Sequence, residues 1–335
     1  MPFAHTIVLG LRRGAPAVGA EARAQARTQD KELFHAADDV ALFLQNLPAA
    51  EQLLRLGAAS EQGVAFRDSS YRRLALLHVG QGRWSEAKAD LARTAGPGAR
   101  VGLALYATLP FVGASPAELK EIRGGIERWN PEAEPPWAGS ALELALAPHL
   151  RHWLLAMLDL GLGADGAALL RAGAIERMPA PPGAAGVVRS LTRTVRASVA
   201  AHRNRAAEAL RLLEPVRGEV PAPLLRAPFY AEEAARYLRA ELLQRLGRDR
   251  EALDWLRYGF ADTPTELAYL APLALRQGEI HERLGERDQA VEHYQRFLGL
   301  WEHCDPALAP LVAEARSRLA RLVEEPRGDS AAPRR

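Results

Sequence analysis

Gly278-Glu-Ile-His-Glu-Arg-Leu-Gly285-Glu-Arg-Asp-Gln-Ala290-Val-Glu-His-Tyr294 sets three residues at fixed offsets. A small residue, Gly278, is followed seven positions later by Gly285 and five further on by Ala290. The same offsets occur at Ala75/Gly82/Ala87, Ala156/Gly163/Ala168, Ala197/Asn204/Ala209 and Ala240/Gly247/Ala252. Three of the five also share their flanking text: Gly82-Arg-Trp-Ser-Glu-Ala87, Gly247-Arg-Asp-Arg-Glu-Ala252 and Gly285-Glu-Arg-Asp-Gln-Ala290. One such string in an Ala-rich chain means little; five are an internal repeat. Two helices that cross closely need small side chains at the crossing, such as Gly278 and Ala290. Gly285 between them supplies the left-handed backbone that ends the first helix. Ile280, Leu284, Tyr294 and Phe297 are then placed to fill the space between neighbouring pairs.

Outward from this string, apolar residues recur at spacings of three and four, as in Val312/Ala315/Leu319/Leu322 and Leu238/Leu242/Leu243/Leu246. No stretch alternates with a period of two. The chain therefore reads as all-α. Gly96-Pro97-Gly98, Pro131 to Pro136, Pro179 to Pro182 and Pro221-Ala-Pro223 read as connections.

On these residues the chain resembles the tetratricopeptide repeat family. The last unit carries the likeness best: Gly278, His281, Gly285, Ala290, Tyr294 and then Pro306. His281 stands where the family prefers Tyr, and Phe297 where it prefers a small residue. The family period is about 34, whereas the last three units here step by 43 and 38 residues. The resemblance implies a right-handed α-solenoid of stacked antiparallel helix pairs. Its clearest repeats fall at 71–92, 149–172, 190–215, 233–260 and 271–303, within a repeat domain spanning 29–324. A degenerate unit is predicted between them, with helices near 99–109 and 115–129. Residues 30–58 supply another pair. A closing helix is predicted over 306–324, capped by Asp305 with Pro306 in its first turn. Residues 1–28 read as a loosely ordered start and 325–335 as a disordered tail.

The 335 residues are 48% apolar and 25% charged, and 43 Lys+Arg nearly balance 41 Asp+Glu, for a net charge of +2. That composition excludes a disordered chain and gives no whole-chain polyanion-binding signature. A single cysteine excludes a disulfide framework. No basic region precedes the short apolar run Ile7-Val8-Leu9, and no run reaches the roughly 18–20 apolar residues of a membrane span, so a cytoplasmic protein without membrane contact is expected. All lysines are Lys31, Lys88 and Lys120; the remaining basic residues are Arg, which reads as bias in a GC-rich, bacterial-type coding sequence.

If the family geometry applies, the first helix of each pair lines a concave surface. The face that would bind a partner is then Thr194, Ser198 and His202; Tyr237, Glu241, Gln244 and Arg245; Leu275, Glu279, Glu282 and Arg283. Family members that grip a C-terminal carboxylate use Lys and Asn at such inner positions. Tyr237 and Leu275, followed by Glu241 and Glu279, suit a polar or basic segment better. The expected function is a non-catalytic scaffold or adaptor for a protein or peptide. The alternative is a ligand- or peptide-sensing regulatory module of a transcription or signalling system. No catalytic residue, metal or cofactor is expected. Glu302-His303-Cys304-Asp305, with His293 and His281 upstream, points its side chains in different directions on a helix, and His149 with His152 lacks a third ligand. Residues 187–217 carry seven Arg against two Glu, with Arg189, Arg193 and Arg196 on one face. No aromatic residue interleaves with them, which counts against single-strand stacking on nucleic acid. Trp84, Trp129, Trp153, Trp255 and Trp301 are expected to pack between repeats, and Trp137 to sit in a loop.

Overall fold

The computed structural model describes residues 32–42, 46–59, 63–135, 139–216, 221, 224, 232–257 and 264–324. The expectations for 1–28, 325–335 and Trp137 lie outside the described residues. Among those described, every regular element is helical. Fifteen α-helices follow in order. They are α1 (Glu32–Leu42), α2 (Leu47–Ala59), α3 (Val64–Gly80), α4 (Trp84–Leu91), α5 (Pro97–Ala107), α6 (Pro116–Arg128), α7 (Ala141–Gly161) and α8 (Asp165–Arg177). After them come α9 (Ala185–His202), α10 (Ala206–Leu213), α11 (Glu232–Arg245), α12 (Asp249–Arg257), α13 (Leu270–Arg283), α14 (Arg287–Leu300) and α15 (Ala309–Glu324). Short 3-10 segments at Pro264–Tyr269 and Pro306–Leu308 precede α13 and α15. Each helix packs on its neighbour in the chain, so the fold is a series of consecutive pairs.

Five of those pairs share one turn. Gly82, Gly163, Asn204, Gly247 and Gly285 have φ of 70°, 74°, 58°, 72° and 71°. In each, the next residue donates its backbone N–H to the carbonyl five positions back. These bonds are Arg83 to His78 (2.8 Å), Ala164 to Asp159 (2.8 Å), Arg205 to Ala200 (2.8 Å), Arg248 to Leu243 (2.9 Å) and Glu286 to His281 (2.9 Å). This is the bond that closes a helix whose C′ residue is left-handed. Asn204 is the one non-glycine with positive φ among the described residues; its short polar side chain tolerates that region.

The small residues sit where the helices cross. Ala75, Ala87, Ala156, Ala168, Ala197, Ala209, Ala252 and Ala290 are completely buried. A Cβ on Gly278 would stand 3.0 Å from the Tyr294 ring. Ile280, Tyr294 and Phe297 are buried as the packing argument requires, and Leu284 is half-buried. Four tryptophans, Trp84, Trp129, Trp153 and Trp301, are core residues; Trp255 is not, standing 36% exposed with the Arg239 guanidinium 3.9 Å above its ring.

The series of pairs returns on itself. The end of α3 packs against the 3-10 segment Pro264–Tyr269, which also touches α1. Trp301 Nε1 donates to the Gly80 carbonyl (3.0 Å), and Asp305 N donates to the Gly82 carbonyl (2.8 Å). Asp305 does precede the closing helix, but its side chain does not cap it. The carboxylate accepts instead from the backbone N–H and the hydroxyl of Ser85, at 2.8 and 2.9 Å. Two glycines make this seam possible. A Cβ on Gly80 would collide with the Leu267 carbonyl oxygen, and one on Gly82 would stand 2.9 Å from Cys304 Cβ and 3.1 Å from both Leu308 and Trp301.

Candidate functional site

The first helices of successive pairs, α3, α5, α7, α9 and α11, together line a cavity of about 410 Å³. The 3-10 segment at 264–269 closes another side of it through Thr265, Ala268 and Tyr269. Leu76, Leu105, Leu109, Leu119, Trp153 and Met157 give it an apolar wall. Phe111, Tyr237 and Tyr269 form a buried aromatic cluster beside it, with centroids 5.2 to 5.7 Å apart. Burial pushes the Tyr106, Tyr237 and Tyr269 phenols above their ordinary range, so they stay neutral hydrogen-bonding groups.

Two helices supply the polar side. α9 turns Thr194, Ser198 and His202 to the cavity at four-residue spacing, and α11 turns Glu233, Tyr237, Glu241 and Arg245 the same way. The Thr194 hydroxyl donates to the Ser190 carbonyl (2.8 Å) and the Ser198 hydroxyl to the Thr194 carbonyl (2.9 Å). Their remaining lone pairs can accept. Arg245 donates to Glu241 (2.6 Å) and to the Ala201 carbonyl (3.3 Å). His202 Nδ1 lies 2.7 Å from Asp165, which Arg203 also holds at 2.8 Å. The Arg203 and His202 hydrogen bonds keep the Asp165 carboxyl below its ordinary value.

Of the eleven residues chosen for the concave face, six line this cavity: Thr194, Ser198, His202, Tyr237, Glu241 and Arg245. The other five are engaged elsewhere. Leu275 is buried. Glu282 accepts from Tyr294 (2.5 Å) and from Arg318 of α15 (3.1 Å), and Arg283 pairs with Asp249. Glu279 pairs with Arg276, a residue the sequence reading passed over, and the Gln244 side-chain oxygen accepts from Arg283 at 3.1 Å. Arg276 donates to Glu279 (3.1 Å) and the Tyr237 hydroxyl (3.4 Å), with Glu241 at 4.0 Å. Burial disfavours its charge, but Tyr237 and Glu279 outweigh that and hold it above its ordinary value. The available signal was its spacing of three from Glu279, which makes a helix-surface ion pair.

The remaining histidines, acids and arginines do not converge. His281 Nδ1–H donates to the Glu286 carboxylate (2.6 Å) and its ring stacks on His293 at 5.2 Å, while His303 stands exposed beyond them. Burial lowers the basicity of both His149 and His152. Among the described residues, no three His, Cys, Asp or Glu side chains stand close enough to share a metal ion. On the basic face, Arg196 pairs with Glu176 (2.6 Å), Arg189 is exposed and Arg193 half-buried. No described helix is long and apolar enough to cross a membrane.

No protein-family model matches the chain. Nor does any curated protein match it.

Proposed function

We propose that this chain is a non-catalytic binding module of the tetratricopeptide type, a right-handed solenoid whose inner face holds a small ligand or a short peptide segment. The observation that carries the reading is the cavity lined by the first helices of five consecutive pairs. The five identical turns support the family assignment, because that backbone follows from the family-like spacing. Of the two functions weighed from sequence, the sensing module is favoured over an open scaffold. Tyr237 and Leu275 are buried, and Glu282 and Arg283 are spent on neighbouring helices, so what remains open is compact. Cavities of about 300–1,000 Å³ suit small molecules, and 410 Å³ is near the lower end.

Ser198→Phe fills the cavity from the half-buried side of α9. A panel of small molecules and short apolar peptides is screened by thermal shift against the natural chain and this variant. Ligands should stabilise the natural chain and not the variant, while Leu170→Glu, on an exposed position of α8, changes nothing. Ligands that stabilise Ser198→Phe equally would overturn the reading.

A further inference from the structure

The mouth of the cavity carries one cation and one anion side by side, already paired: Arg245 and Glu241, 2.6 Å apart. Neither is saturated. A guanidinium has five N–H donors and a carboxylate about four acceptor sites. Arg245 gives two contacts, to Glu241 and the Ala201 carbonyl. Glu241 Oε1 takes the Arg245 bond, with Arg276 at 4.0 Å from the same oxygen. Both groups are partly open, with side-chain exposures of 44% for Arg245 and 20% for Glu241. Around them stand Ser198 with a free lone pair and His202, whose other nitrogen is held by Asp165. Behind them, the wall is apolar and aromatic.

At the rim a ligand bearing a net charge would leave that charge uncompensated, since the Arg245–Glu241 pair cancels itself and the cavity's other carboxylate, Glu233, lies buried away from the opening and already accepts from the Thr265 hydroxyl (2.8 Å); burying an unpaired charge is costly. A neutral apolar molecule would cover Arg245 and Glu241 and forfeit their remaining hydrogen bonds with water. The complement of this rim is a head with one negative and one positive group, attached to a bulky apolar body. The carboxylate would take the free Arg245 donors and the ammonium the free Glu241 oxygen, as charge-assisted hydrogen bonds.

Resting on the binding reading above, we infer that the cavity takes a small zwitterion with a large apolar side group, of the class of an apolar or aromatic α-amino acid. The rim reads the head and the Leu76–Trp153–Met157 wall reads the side group.

The probes are L-phenylalanine, its N-acetyl derivative, which is an anion, its methyl ester, which is a cation, and glycine, which lacks the body. Calorimetry on the full chain should show binding of phenylalanine. Both blocked forms should bind at least about tenfold more weakly, the scale of a lost charge-assisted hydrogen bond, and glycine not at all. Glu241→Gln should weaken phenylalanine and narrow its advantage over the N-acetyl form; Arg245→Met should narrow its advantage over the ester. Either blocked form binding as tightly as phenylalanine, or no binding of phenylalanine at millimolar concentration, overturns the assignment. If another ligand then proves sensitive to Ser198→Phe, only the zwitterion class has failed. If that ligand is indifferent to Ser198→Phe, the cavity reading has failed as well.

Discussion

The turns at Gly285 and Gly82 have the same backbone in different surroundings. Their φ values are 71° and 70°, and each is followed by the same closing hydrogen bond. Around Gly285 a Cβ would meet nothing within 4 Å, whereas around Gly82 it would press on Cys304, Leu308 and Trp301. Local spacing makes the turn in both places. Only at Gly82 has the turn also become a docking surface for the far end of the chain. The same string thus does a local job everywhere and a long-range job once.

Three experiments probe that difference, beginning with the strongest, and a fourth reads the packing of α14. Gly80→Ala drives a Cβ into the Leu267 backbone, which no side-chain rotation relieves; the expected loss is about 3 kcal/mol or more, from overpacking at the seam. Chemical denaturation checks it, and an unchanged midpoint would mean the seam does not form in solution. Next, Gly285→Ala should cost about 1–2 kcal/mol for the left-handed backbone alone, and Gly82→Ala roughly 1 kcal/mol or more beyond that for the added crowding. Equal losses would erase the distinction between the two turns. Gly247→Asn should cost little, because Asn204 already holds the same conformation.

Third, Ser85→Ala and Asp305→Ala belong in a double-mutant cycle. Their coupling should be about 1 kcal/mol, the net worth of a hydrogen bond of this kind; a coupling near zero would remove this bond from the seam. The fourth effect is one of pH and lies apart from the seam. Burial, reinforced by neighbouring His281, lowers the His293 pKa to about 4 from an ordinary 6.5. Between those values the unfolded chain binds the proton and the folded chain does not. Stability should therefore fall as pH drops through 6.5 toward 4. His293→Phe should flatten that part of the profile, and an unaltered slope would show that other groups carry it.

Sequence reading reached what is local. The five turns were legible because each is set by residues within a dozen positions, and Asn204 could be read as the equal of glycine. The pattern predicts the helices of the degenerate unit near 99–109 and 115–129, and they lie at 97–107 and 116–128. Four-residue spacing shows that Thr194, Ser198 and His202 share one face of α9, and Tyr237, Glu241 and Arg245 one face of α11; that the two faces line one cavity depends on how the helices pack. The seam was not. Asp305-Pro306 looked like a helix cap, and that local role lost to Ser85, 220 positions away. Nothing in Gly80-Gln-Gly82 distinguishes a glycine that ends a helix from one that also makes room for a carbonyl. On α13 the residue that reaches the Tyr237 hydroxyl of α11 is Arg276, one position beyond Leu275, and no local spacing distinguishes the two.

The seam also changes how the chain should come apart. An open series of repeats has end units with one neighbour each, and they fray first because stability is a sum over adjacent pairs. Joining the α3–α4 turn to the end of α14 gives the series something close to a periodic boundary: the units from α3 to α14 have a neighbour on both sides. Hydrogen exchange across α3 to α14 should then be lost as one cooperative block, while α15, which packs mainly on α14 and is tied to α13 through Arg318 and Arg321 on Glu282, opens independently.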